Sequence, residues 1–125
     1  MMIYVILFLS GGVLYVCLEL FWRGRSHVSM AIAGGTVLVL FYGVFTRWAY
    51  QSMLLRSIFG ALLITAVEFI VGAVVNVRMG HGVWDYSRFK WNLYGQICLP
   101  YSLLWIAVSA PALAMVDFIY SLQLS

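Results

Sequence analysis

Charge is what this sequence has least of. Seven Lys and Arg and four Asp and Glu make up 9% of 125 residues, against about 25% in soluble domains. A soluble surface cannot be built from so few charges. Seven scattered cations also cannot form the basic stripe that binds nucleic acid, so no nucleic-acid partner is expected. Cys17 and Cys98 stand alone, without C-x-x-C spacing, and His27 and His81 have no partner histidine at i+4. Neither a metal centre nor a disulfide framework follows from them, and no cofactor is expected. The phosphate-cradling G-x-x-x-x-G-K-[ST] run is missing, so any ATP hydrolysis must come from another chain. Ser87, His81 and Asp85 do not form a hydrolase triad, and no catalytic residue or enzyme activity is expected.

What remains is apolar: 65% of the residues, with a mean hydropathy of +1.02. The charges divide the chain into apolar windows at residues 1–18, 26–46, 57–77 and 91–116, of which only the third contains a charge, Glu68. A membrane-spanning helix needs about 20 such residues. The expectation is an all-α polytopic membrane protein, a four-helix transmembrane bundle forming a single membrane domain over residues 1–125, with helices at about 2–22, 29–46, 57–77 and 92–119. The first window has no basic residue ahead of it and is read as a retained helix rather than a secretory signal. The last would measure about 39 Å as one helix, longer than the hydrocarbon core, and a kink at Pro100 or Pro111 would accommodate it. Short connections make consecutive helices antiparallel neighbours. Arg23, Arg25, Arg78, Arg88 and Lys90 then share one face, while Arg47 and Arg56 share the other. The positive-inside rule makes the first face cytoplasmic and places both termini outside the bacterial inner membrane.

The informative residues are polar groups that a bilayer should exclude. Glu68 lies near the middle of the third window, where an ionised carboxylate costs several kcal/mol (~2.5–3.5 on insertion scales) unless compensated. Helical periodicity puts it on one face with Gly60, Ala61, Ile64, Gly72 and Asn76, opposite Phe69, Ile70 and Val74. Two readings stay open: a packing seam whose carboxyl bonds a neighbouring helix, or a permeation path or proton relay. Glu19 lies beside Arg23 and Arg25, where a salt bridge would explain it. Alternatively Glu19, Asn76, Asn92 and Gln96, with His81 and Asp85, line a vestibule leading to Glu68. Asn92 and Gln96 are placed one turn apart at the start of the fourth helix. In the connection RMGHGVWDYSRFK, Gly80 and Gly82 permit turns, and Trp84 and Tyr86 suit the headgroup interface. Asp85 and Ser87, with Asn92, would cap the incoming helix or grip a ligand. Gly72, Gly95, Ser102 and Trp105 are read as helix-packing positions.

The segments TAVEFIVGAVVN, VWDYS and NLYGQICLPYSLLW, within residues 64–105, resemble the bacterial family of type IV ABC-transporter permeases. The family's pattern has a Glu in the third helix, a WDYS motif, and an N-x-x-G-x-I segment; here these are Glu68, residues 84–87, and Asn92, Gly95 and Ile97. A Glu near the end of the first helix is matched by Glu19. The sequence departs from the family at HVSMAIAGG, residues 27–35, where many members carry a proline, and at Gln96, where many carry Arg. The resemblance implies a permease-like transport component for a small solute or ion, without its own ATPase, acting as a homo-oligomer or with a separate ATPase subunit. The alternatives are an ATP-independent ion channel and a non-transporting scaffold or holin-like oligomer.

Overall fold

A computed structural model of the chain describes residues 2–24, 26–80 and 84–124. The apolar windows become four helices, α1 (Met2–Arg23), α2 (Val28–Phe45), α3 (Met53–Gly72) and α4 (Leu99–Leu124). Each is long and apolar enough to cross a membrane, α3 together with a π-helical continuation at Ala73–Arg78. The protein is a multi-pass membrane protein. Local chemistry fixes the helix ends. Gly24, at φ +76°, closes α1 by donating its N–H to the Leu20 carbonyl, a left-handed position that costs glycine little. His27 caps α2 by accepting the Ser29 N–H at Nδ1, and Ser52 caps α3 by accepting the Leu55 N–H.

The first two helices agree with the expected bounds to within a residue; the others need correction. The α-helical part of α3 runs from 53 to 72 rather than from 57 to 77, and its last turn widens to i→i+5 bonding, as in Met79 N–H to the Val74 carbonyl. The fourth helix starts at Leu99, not at residue 92. Residues 92–98 instead form a two-stranded antiparallel hairpin, β1 (Asn92–Leu93) and β2 (Ile97–Cys98), pairing Asn92 with Cys98 and Leu93 with Ile97. Its turn holds Tyr94 at φ 54° and Gly95 at φ 72°. Two successive positive φ values are incompatible with a right-handed helix. Pro100 falls in the first turn of α4, where no backbone N–H is required, and Pro111 lies inside the helix.

The helices pack as two antiparallel pairs, α1 on α2 and α3 on α4, joined through α2. The first pair is built on small residues. A Cβ added to Gly34 would stand 2.5 Å from the Tyr15 Cβ and 2.7 Å from the Gly11 carbonyl oxygen, so the backbones meet only because the side chain is absent. In the second pair Gly60 faces Ser109, and Thr65 Oγ1 donates to Ser102 Oγ at 2.9 Å. Phe41 reaches from α2 to Gly60, inside a core that includes Leu7, Leu38, Phe45, Leu113 and Val116.

An ion pair absent from the sequence expectations locks the end remote from the hairpin. The Arg56 guanidinium donates to both carboxylate oxygens of Asp117, at 2.9 and 2.7 Å, and to the Phe45 carbonyl at 3.0 Å. Arg56 is buried, so this fork clips the start of α3 to the ends of α2 and α4. Gly34→Val is expected to destabilise the protein by about 1–3 kcal/mol through overpacking. Gly43→Ala, where a Cβ meets nothing within 4 Å, should leave stability unchanged or slightly raised. Equilibrium unfolding in mixed SDS micelles measures both.

Candidate functional site

The period of α3 carries Glu68 inward. Gly60, Ala61, Ile64, Glu68 and Gly72 are buried, as are Arg56 and Ser57 near its start, while Leu62, Ile70 and, just beyond its end, Val74 face outward. The expected polar face is therefore the packed face. Glu68 is only 6% exposed, and two donors from different elements meet its carboxylate. Trp105 of α4 donates Nε1–H to Oε1 at 3.3 Å, and Tyr86 of the connecting loop donates its hydroxyl to Oε2 at 3.3 Å. Trp105, read from the sequence as a packing residue, is thus also a polar partner. Burial, and then the Glu68 carboxylate, push the Tyr86 phenol well above its usual pKa. It stays protonated and able to donate. Its ring stacks on Tyr101 with centroids 4.9 Å apart, and Phe89 meets both rings edge-on.

Beside this contact, a second polar network seals the bundle. Trp84 and Gln96 are both 5% exposed. The Trp84 indole donates to the Gln96 carbonyl at 2.8 Å, Asn76 donates Nδ2–H to Gln96 Oε1 at 2.8 Å, and Gln96 donates Nε2–H to the Tyr94 carbonyl at 2.8 Å. Gly72 makes this possible: a Cβ there would lie 2.6 Å from Gln96 Oε1 and 3.0 Å from the Trp84 ring. Gly72 is a packing position, as expected, but against the loop rather than another helix. Gly95 packs against the loop as well, since a Cβ there would lie 2.7 Å from Asp85 Oδ1. It is also a turn residue whose carbonyl accepts the Tyr86 N–H at 2.7 Å, pinning the hairpin to the WDYS segment.

The vestibule takes a different form from the expected one. Asn76 and Gln96 converge, but they bond to each other and to Trp84 instead of lining open space. The space between Glu68, Tyr15, Met30, Ala33, Val37, Ile64, Val67 and Trp84 is about 10 Å³, at the lower limit for one water molecule. Glu19 bonds Arg23 at 2.5 Å, the geometry of the first of its two sequence readings. Asp85 accepts the Ser87 N–H at 2.9 Å, and Asn92 Oδ1 accepts the Gly95 N–H at 2.9 Å. These three residues make turns and do not cap α4, because the hairpin intervenes. Ser102 does belong to the α3–α4 seam, where it accepts from Thr65. Arg25, His81 and Gly82 lie outside the described residues. Among the described residues no group of three His, Cys, Asp or Glu could hold a metal ion. Sequence reasoning missed Tyr101, which stacks on Tyr86; its position one turn before Trp105, on the same face of α4, was the available signal.

The chain matches, over residues 3–124, the family described as "Putative ABC-transporter type IV". It belongs to that family. No curated protein and no solved structure matches it. The segments that carried the sequence resemblance form one physical unit here: Glu68 of α3, Trp84 and Tyr86 of WDYS, and the turn set by Asn92 and Gly95.

Glu68→Gln should unfold within about 1 kcal/mol of the parent, because the amide oxygen accepts from Trp105 while its NH₂ donates to the Tyr86 oxygen. Glu68→Leu orphans both donors and should cost about 1–3 kcal/mol, measured in SDS micelles.

Proposed function

We propose that this chain is the membrane-embedded component of a transport assembly in the bacterial inner membrane, permease-like, with its ATPase on a separate subunit. The chain acts as a homo-oligomer and moves a small solute or ion. Residues 84–98, on the cytoplasmic face, are the element through which the ATPase acts on the helices. The observation that carries this reading is the two-sided character of that loop. Its inner side is bonded to α3 by Tyr86 and to the π-helical end of α3 by Trp84 and Gln96, and the Tyr86 ring stacks on Tyr101 of α4. Its outer side presents Trp91, Leu93 and Tyr94, with exposures of 65%, 49% and 78%, and Lys90 stands over the Trp91 ring at 5.7 Å. Exposed aromatic side chains beside cations suit a protein contact. A load applied there reaches the Glu68 carboxylate through the Tyr86 hydroxyl, at the point where α3 and α4 meet.

Family membership favours transport over the scaffold or holin-like reading. The ATP-independent channel has less support, since Glu68 is closed in by Trp84 and Tyr86 and adjoins so little free space.

Affinity purification of the tagged chain from native membranes is expected to recover a nucleotide-binding subunit. The double variant Trp91→Ala/Tyr94→Ala, which leaves the Glu68 contacts in place, should reduce that recovery on the order of tenfold or more, as loss of interface anchors does. No nucleotide-binding subunit with the parent, together with nucleotide-independent ion flux through the purified protein in liposomes, would replace this proposal with the channel.

A further inference from the structure

Two cavities lie along the seam between α1 and α4, one near the loop and one deeper in the bundle. Because α1 packs on α2 and α4 on α3, these two helices make few contacts with each other. The gap they leave is an apolar cavity of about 260 Å³ with Leu14 and Leu18 on one wall, Val108, Ala112 and Met115 on the other, and Phe41 behind. At the loop end, Trp22 donates its indole N–H to the Tyr101 hydroxyl across the seam at 3.4 Å. There the second cavity, about 370 Å³, is lined by Arg23, Asp85, Ser87, Arg88, Phe89 and Tyr101, among others. From Tyr101 to Met115 the seam extends about 21 Å at ~1.5 Å per residue.

We propose that this seam binds one glycerophospholipid with a zwitterionic amine headgroup. The phosphate sits against the Arg88 and Arg23 guanidiniums, the ammonium against the Asp85 carboxylate, and one acyl chain lies in the apolar cavity. Charge selects this occupant. The polar cavity carries both signs, and Arg23 already bonds Glu19 at 2.5 Å, so the mouth lacks the net positive charge that would favour an anionic lipid. Arg88 is exposed, with its guanidinium 5.5 Å from the Phe89 ring centre. The stacked rings of Tyr86 and Tyr101 supply the amphipathic surface found at headgroup depth. Size excludes a helix from a second copy: a helix about 10 Å across does not fit into a cavity of about 260 Å³. The proposal goes beyond the transport reading and stands or falls independently of it, because it involves neither an ATPase nor flux.

Native mass spectrometry of the full chain in detergent tests it with four probes: phosphatidylethanolamine, phosphatidylglycerol, diacylglycerol, and glycerophosphoethanolamine, which has the headgroup but no chains. One phosphatidylethanolamine per chain should be retained, roughly tenfold more tightly than phosphatidylglycerol or diacylglycerol, the discrimination expected of charge-assisted contacts. The chain-free headgroup should not be retained. Asp85→Asn with Arg88→Gln should abolish the preference among lipids. Leu14→Trp, at an exposed position on one wall, should abolish retention by filling the groove, and Ala112→Trp repeats the test from the other wall. Equal or better retention of phosphatidylglycerol overturns the headgroup assignment. Retention of glycerophosphoethanolamine as tight as that of the lipid would mean a soluble-phosphate site, and undiminished binding in both tryptophan variants would mean the chain lies elsewhere; either overturns the proposal.

Discussion

A carboxylate near the middle of a membrane helix needs hydrogen-bond donors, because hydrocarbon supplies none. In this protein the donors come from outside α3. Trp105 brings α4 to Glu68, and Tyr86 brings in a loop that would otherwise lie at the lipid surface. Once Tyr86 is seated, Trp84 and Gln96 follow it into the bundle, and their polar atoms require Asn76 and the Tyr94 carbonyl. Gly72 leaves room for both. Around the buried Glu68 carboxyl thus gather a folded connection, a widened last helical turn carrying Asn76, and the hairpin that precedes α4.

At the other end of the bundle the solution differs. Arg56 and Asp117 pair in a fork, and the Phe45 carbonyl takes a further bond. Such a pair adds geometric specificity by fixing which helix ends meet. The α1–α2 pair needs no polar bond between its helices at the glycine contact, since close approach at Gly11, Gly12, Gly34 and Gly35 supplies the packing. With α3 and α4 held at both ends and α1 held to α2, the seam between α1 and α4 is left open to lipid.

Much of this was legible in the sequence for a physical reason. Length and apolarity suffice to define spans, and the 3.6-residue period suffices to place Glu68 with Gly60, Ala61, Ile64 and Gly72. The hairpin was not legible, because an apolar run from 91 to 116 gives no sign that Tyr94 and Gly95 adopt positive φ; only the N-x-x-G spacing hinted at a turn. The Glu68 partners were hidden because Trp105 and Tyr86 read as ordinary core and interface aromatics, and their N–H and O–H groups declare a role only when a neighbour is known. The Arg56–Asp117 pair was available in principle. These residues flank the third and fourth windows, and an antiparallel pair brings those flanks together.

The central claim is that Glu68 and Tyr86 act as a coupled pair joining the loop to the helices. A double-mutant cycle on Glu68→Leu and Tyr86→Phe, read as unfolding free energy in mixed SDS micelles, measures that coupling directly. The expected result is an interaction energy of about 0.5–2 kcal/mol, with the double variant less destabilised than the sum of the singles. Strict additivity, with each single variant destabilising the protein, would contradict the account.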